Sequence, residues 1–239
     1  LKFHQKQADK MSDNIQATGV EKSEVAVAKA QDFWTKNSKV ILAVGVGLLV
    51  GVAGYWGYKH FVKTPKEEKA AEAMFKAEDY FRLDSTQKAL NGDGQYPGFL
   101  KVISQYGGTK AGNLAHFYAG SCYIKLDDNQ NAVKYLKDFS TDAKQIQQRA
   151  YKLLGDAYAD LGQSKEALEN YKKAARHFEQ DQTASAEALF MAAYLAGNVI
   201  KDQKEAISLY TELKQKFPMT QQGFEADKYL AMLGQYNVN

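Results

Sequence analysis

Four shortages bound what this chain can be. Cysteine occurs once in 239 residues, at Cys122, so no internal disulfide staples the fold. A lone thiol says nothing of compartment and reads as a small buried hydrophobe. Only three prolines are present, and with abundant Ala, Leu, Lys, Glu and Gln they leave helix as the dominant structure. Histidine occurs four times, at His4, His60, His116 and His177, never in an HExxH. His116 and Cys122 stand six apart, about 240° round a helix, and so share no metal.

The chemistry-bearing motifs are missing as well. There is no P-loop, no GxSxG and no dinucleotide fingerprint, and Gly45-Val-Gly47 falls inside an apolar run. Asp156, Asp160, Glu166 and Glu169 read as solvated helix faces or groove-lining charges, because an acid/base pair needs a pocket to shift its pKa. The sequence therefore predicts no enzyme, no cofactor and no metal. The net charge of +3 is uneven: residues 1–63 hold nine Lys/Arg against five Asp/Glu, residues 64–239 hold 22 against 23. A nearly neutral folded part has no electrostatic footprint for nucleic acid.

What is present is one uncharged run, Val40 to Tyr58. A helix needs roughly 20 apolar residues to cross a bilayer core about 30 Å thick. Lys36 and Lys39 close the run on one side, Lys59, His60 and Lys63 on the other, with Trp34, Tyr55, Trp56 and Tyr58 near the edges. A transmembrane helix is predicted over 40–62, after a polar tail over 1–39. Disorder is expected up to about Glu21, then a short amphipathic helix with Val25, Ala28, Phe33 and Trp34 at the membrane surface. The chain begins LKFH, and Met11 is read as the natural start. The run is too long and too far in to be a cleaved signal peptide. Gly47, Gly51 and Gly54 align on one face and predict an association surface for a second transmembrane helix. Lysines are tied across the span, four against four, so the positive-inside rule does not set its orientation.

After Pro65 a helix is predicted from Lys66 to about Leu90, with Leu83 in its apolar stripe. The turn NGDGQYPG ends it, and a second helix follows from Phe99 to Tyr106. Then a pattern repeats. Gly120, Tyr123, Ala132, Leu136 and Phe139 return as Gly155, Tyr158, Ala167, Tyr171 and Ala174, shifted by 35. Ala206, Tyr210 and Leu213 follow at 39, with Gly197 in the place of Tyr158, which reads as a degenerate first helix. Two helices in about 34 residues is the tetratricopeptide period. The segment AYKLLGDAYADLGQSKEALENYKKA strongly resembles that repeat, AHFYAGSCYIKLDDNQNAVKYLKDF resembles it well, and KEAISLYTELKQKFP resembles its second helix. The predicted fold is all-α: one transmembrane helix, then an α-solenoid over 66–239. Its helix pairs fall at 66–106, 111–140, 146–177 and 184–217, with a capping helix at 219–234 that turns Phe224, Ala226, Tyr229, Leu230 and Leu233 toward the stack.

Tail, anchor, Lys/Glu-rich helix and repeats together resemble the YfgM-like ancillary subunits of the Sec translocon, and ALNGDGQYPGFLKVISQYGGTKAGNLAHFYAG looks like bacterial envelope repeat proteins of the Bacteroidetes type. That resemblance implies a single-pass inner-membrane protein with a periplasmic repeat domain. Its partners would be translocon subunits, unfolded or emerging polypeptides, or a periplasmic chaperone. The alternative is a scaffold in another envelope assembly, for outer-membrane biogenesis or secretion. By resemblance, the concave face is lined by Leu114, Phe117, Ser121 and Ile124, then Arg149, Lys152, Asp156 and Ala159, then Ala188, Met191, Leu195 and Asn198. Apolar ends around a charged centre suit an extended polypeptide or a partner helix. Phe117, Ser121 and Asp156 stand where a carboxylate clamp would need Lys and Asn.

Overall fold

The computed structural model describes residues 2–236, with side chains at residue 25 and from residue 27 onward. It divides into two compact units, Leu1–Lys63 and Thr64–Asn239. In the first, helix α1 (Lys2–Tyr58) is followed by a π-helical turn, Lys59–Lys63. Residues 2–21, where the sequence predicts disorder, are instead helical, as part of α1; the side chains ahead of Val25 lie outside the described residues. The apolar window of this unit is long enough to cross a membrane, and none of it is buried. Leu48, Leu49 and Val50 are 66%, 71% and 66% exposed, an arrangement that water penalises and lipid does not.

The second unit is a succession of antiparallel helix pairs: α2 (Thr64–Arg82) with α3 (Thr86–Asn91) and α4 (Phe99–Tyr106), then α5 (Lys110–Lys125) with α6 (Asn129–Lys137), α7 (Lys144–Asp160) with α8 (Ser164–His177), α9 (Gln182–Tyr194) with α10 (Gln203–Lys216), and a final α11 (Gln221–Met232). Each first helix stops the same way. Asp84, Asp127, Gly162 and Lys201 take left-handed backbone, with φ of 55°, 59°, 70° and 65°, and the next helix starts within two residues. Four buried alanines, Ala89, Ala132, Ala167 and Ala206, each 0% exposed, occupy the same place on the second helices. Asp128, Asp181 and Asp202 cap helix N-termini by accepting from Asn131, Ala184 and Glu205 backbone N–H groups at 3.0–3.1 Å.

Three departures from the sequence reading have physical reasons. The helix expected from Lys66 to Leu90 breaks after Arg82, because Asp84 is left-handed and Ser85 opens α3, so that Ala89 docks as a second-helix alanine. Leu83 is then 68% exposed rather than part of the stripe. In the capping helix Ala226 and Leu230 are buried and Tyr229 and Leu233 pack against the core, but Phe224 is 67% exposed. The first helix of the third copy is a full helix. Its last turn, Leu195–Ile200, is π-helical and absorbs an extra residue. Ahead of it, the buried set Gln147, Gln148, Ala150, Leu154, Gly155 and Ala157 recurs at Ser185, Ala186, Ala188, Ala192, Ala193 and Leu195, a shift of 38; beyond it, Gly162 and Lys201, or Tyr171 and Tyr210, differ by 39. One fixed offset misaligns that helix.

The core runs along the stack in three linked clusters, as expected where each repeat touches only its neighbours. A buried polar bridge ties the α7–α8 pair to α9: Gln148 Nε2 donates to the Ala174 carbonyl at 3.1 Å and to Ser185 Oγ at 2.8 Å, and Ser185 Oγ donates to the Phe178 carbonyl at 3.2 Å. Between α8 and α10, Lys172–Glu205 and Arg176–Glu212 pair at 2.9 and 2.6 Å, and Lys216 on α10 pairs with Glu179, just past α8, at 2.6 Å. As surface pairs they contribute on the order of 0–1 kcal/mol each.

Cys122 is 0% exposed in the first of the three clusters, and burial pushes its thiol up to about 12. Thiolate is the reactive form. At pH 8 the folded chain should leave a chromogenic disulfide reagent untouched, and denaturant should release one thiol per chain. A fast stoichiometric reaction before unfolding would place Cys122 at an accessible surface. The folded thiol holds its proton above the range where the unfolded one loses it, so its contribution to stability falls as pH rises from about 9 to about 12.

Candidate functional site

In a stack of this kind the first helix of each pair lines the concave side, and α5 packs beside both α2 and α7. At the centre of that side lies α7. Arg149 is exposed, while Lys152 reaches Asp156 at 3.1 Å on its own helix and Glu187 on α9 at 3.3 Å. Asp156 also accepts the Tyr171 hydroxyl at 2.9 Å. Burial works against the Lys152 ammonium, but Asp156 and Glu187 together outweigh it and hold its pKa above the usual lysine value. Burial and then Asp156 push the Tyr171 phenol well up. The charged centre is thus a built network, with Arg149 exposed beside it.

The other predicted residues divide. Phe117 is 8% exposed and packs on Leu136, Phe139, Ala150 and Leu154, so it contributes a rim of the core. Ser121 is 9% exposed and returns its hydroxyl to the Phe117 carbonyl at 2.8 Å. Ile124 and Met191 are half-buried, and Ala159 and Leu114 likewise. Asn198 is exposed, with its amide turned onto the Tyr194 carbonyl at 3.2 Å. Leu195 and Ala188 do not line the face: both are buried in the core cluster of the third copy. The π turn is the reason. With the shift of 38, the positions that match Arg149, Lys152 and Asp156 are Glu187, Phe190 and Tyr194.

These residues were missed, and so was the start of the face on α2. Counting back from the left-handed Asp127 to Asp84 places Met74, Glu78 and Phe81 beside Phe117, Ser121 and Ile124. Burial lifts the Glu78 carboxyl above its ordinary value, with Arg82 opposing. Tyr118 stacks on Phe99 at 5.0 Å and meets Phe81 and Phe117 edge-on at 5.2 and 5.6 Å. At the other end Phe190 meets Tyr210 and Tyr229 edge-on at 5.9 and 5.1 Å, and Tyr210 stacks on Tyr229 at 5.1 Å. The arrangement is aromatic at both ends and ionic between them. The aromatic spacing of Phe190 and Tyr194, four residues apart on one helix face, was the available signal.

The glycines of α1 are open: a Cβ built on Gly47, Gly51 or Gly54 meets nothing within 4 Å.

No curated protein matches the chain. Residues 114–143 and 187–218 match the family model of the tetratricopeptide repeat, and α7 with α8 repeats the same packing between them. Two of the helix pairs thus match tetratricopeptide repeats, a repeat that suggests a protein–protein interaction module.

Proposed function

We propose that this protein is a membrane-anchored adaptor that holds extended or unfolded polypeptide on the first-helix face of its repeats. It serves as an accessory factor of the Sec translocon, with the repeat domain in the periplasm. The observation that carries the binding reading is the division of that face: half-buried aromatic side chains at Phe81 and Tyr118, and again Phe190 with the exposed Tyr194, flanking Arg149, Lys152, Asp156 and Glu187. An extended chain offers alternating apolar side chains and backbone amides, which such a surface matches along its length. The anchor reading rests on the unburied apolar window of α1, and the open glycines Gly47, Gly51 and Gly54 are where a translocon helix would pack against it.

Affinity isolation of the full chain from gently solubilised membranes tests the partner. Co-recovery of translocon subunits is the expected result. A fixed, stoichiometric partner set without any translocon subunit would assign the protein to a different envelope assembly. Protease treatment of intact spheroplasts tests the side: cleavage of the repeat domain is expected before lysis, and protection until lysis would put it in the cytoplasm.

A further inference from the structure

Tyr210 is the odd member of its series. Its ring is 1% exposed, yet its hydroxyl has no hydrogen-bond partner among the described residues. A buried donor left unmade is costly, and such groups in native proteins have a reason. The matching tyrosine one repeat earlier shows what the hydroxyl at this position does. Tyr171 donates to Asp156 on the first helix of its own pair at 2.9 Å, toward the shared face. In the third copy the π turn brings Tyr194 to the place of Asp156, so the acceptor is replaced by another phenol. Burial and the neighbouring Tyr229 and Tyr194 phenols all push the Tyr210 proton toward retention. The site is therefore rich in donors and walled by Phe190 and Tyr229 rings, with the Tyr194 phenol, 43% exposed, beside it.

We infer that this corner of the face is a subsite for a neutral carbonyl oxygen of bound polypeptide, which accepts a hydrogen bond donated by the Tyr210 hydroxyl while an adjoining apolar or aromatic side chain lies against Phe190 and Tyr194. The charge nearby selects the neutral acceptor. Glu187 lies on the same helix face, about one turn before Phe190 and two before Tyr194, and is paired with Lys152, so that lysine is not left to pair with an incoming carboxylate. The backbone amides of an extended chain supply an uncharged oxygen at every residue, and Tyr194 is the ring that turns aside to admit one. This rests on the polypeptide-binding reading above and adds to it a fixed point in the third repeat.

The test is Tyr210→Phe in the full chain held in detergent, with reduced and carboxymethylated α-lactalbumin as the unfolded probe and fluorescence anisotropy as the readout. Phenylalanine keeps the ring stack and deletes an unpartnered hydroxyl, so the unfolding midpoint should stay level or rise. Binding should weaken about tenfold, the worth of one well-made hydrogen bond in a dry site. Tyr194→Ala keeps the donor and should weaken the probe through the lost wall. Wild-type binding with Tyr210→Phe unchanged would overturn the subsite and leave the groove standing. No binding by the wild-type chain would overturn both.

Discussion

Gly155→Val is expected to destabilise the repeat domain by about 3 kcal/mol, the upper end of overpacking in a closed core. A Cβ at Gly155 would lie 2.5 and 2.6 Å from Cδ1 and Cε1 of Tyr171. That ring has nowhere to go: it is 2% exposed, and its hydroxyl is tied to Asp156 at 2.9 Å. Displacing it would also unseat the carboxylate that Lys152 pairs with, so the strain spreads into the charged centre of the face. Gly120 meets Leu136 as closely, but an aliphatic chain with free rotamers yields more readily than a hydrogen-bonded phenol. Gly162 makes the useful control. Its φ is +70° with open space around it, so Gly162→Ala should cost about 1 kcal/mol through backbone strain alone. Urea midpoints followed by far-ultraviolet circular dichroism order the variants. Were Gly155→Val no worse than Gly162→Ala, the close crossing of α7 and α8 would not be what holds the second repeat.

Much of this architecture is legible in the sequence, because it rests on small residues at fixed spacing. Gly120, Gly155, Ala132, Ala167 and Ala206 identify the pairs, and all of them sit where two helices cross. The transition from first to second helix is also written in residue type at Gly162, which only lacks a side chain to resist left-handed backbone. Asp84, Asp127 and Lys201 reach the same conformation without advertising it, and so the break after Arg82 was hidden inside a plausible helical stripe. The candidate face was half visible. Its centre, Arg149, Lys152 and Asp156, stands where the repeat spacing puts it. The third copy was read one residue out, since a π turn leaves no signature in a composition or a fixed offset; the hydrogen-bond shift it makes is a property of the backbone. The cost of that single residue was Leu195 in place of Tyr194, a core aliphatic in place of an exposed ring. No spacing rule could show that Tyr210 lacks an acceptor, because the lack appears only when Tyr194 is known to replace Asp156.

Leu48→Arg combined with Leu49→Arg should release the protein from the membrane fraction. Each arginine at the centre of a span costs about 2.5–3.5 kcal/mol on insertion, so the pair costs about 6 kcal/mol, enough to reverse a favourable insertion. The same pair in water costs nothing, since both positions are already 66% and 71% exposed. The helical content of the repeat domain should therefore be unchanged while the chain moves from an alkali-resistant pellet to the supernatant. A second segment makes this outcome informative. Gln182–Ile200 is also long and apolar enough to cross a bilayer, but 44% of its apolar window is buried. Its Ala186, Leu189, Ala192 and Ala193 are spent on the core of the third repeat, all at 0% exposure. Hydropathy scores both segments as candidates; burial separates them, because a side chain already packed against protein gains nothing further from lipid. If the double variant stays in the pellet, the anchoring does not come from α1, and the assignment of the unburied run as the span fails with it. If it leaves, Gln182–Ile200 does not hold the chain in the membrane by itself, as its burial in the repeat core predicts.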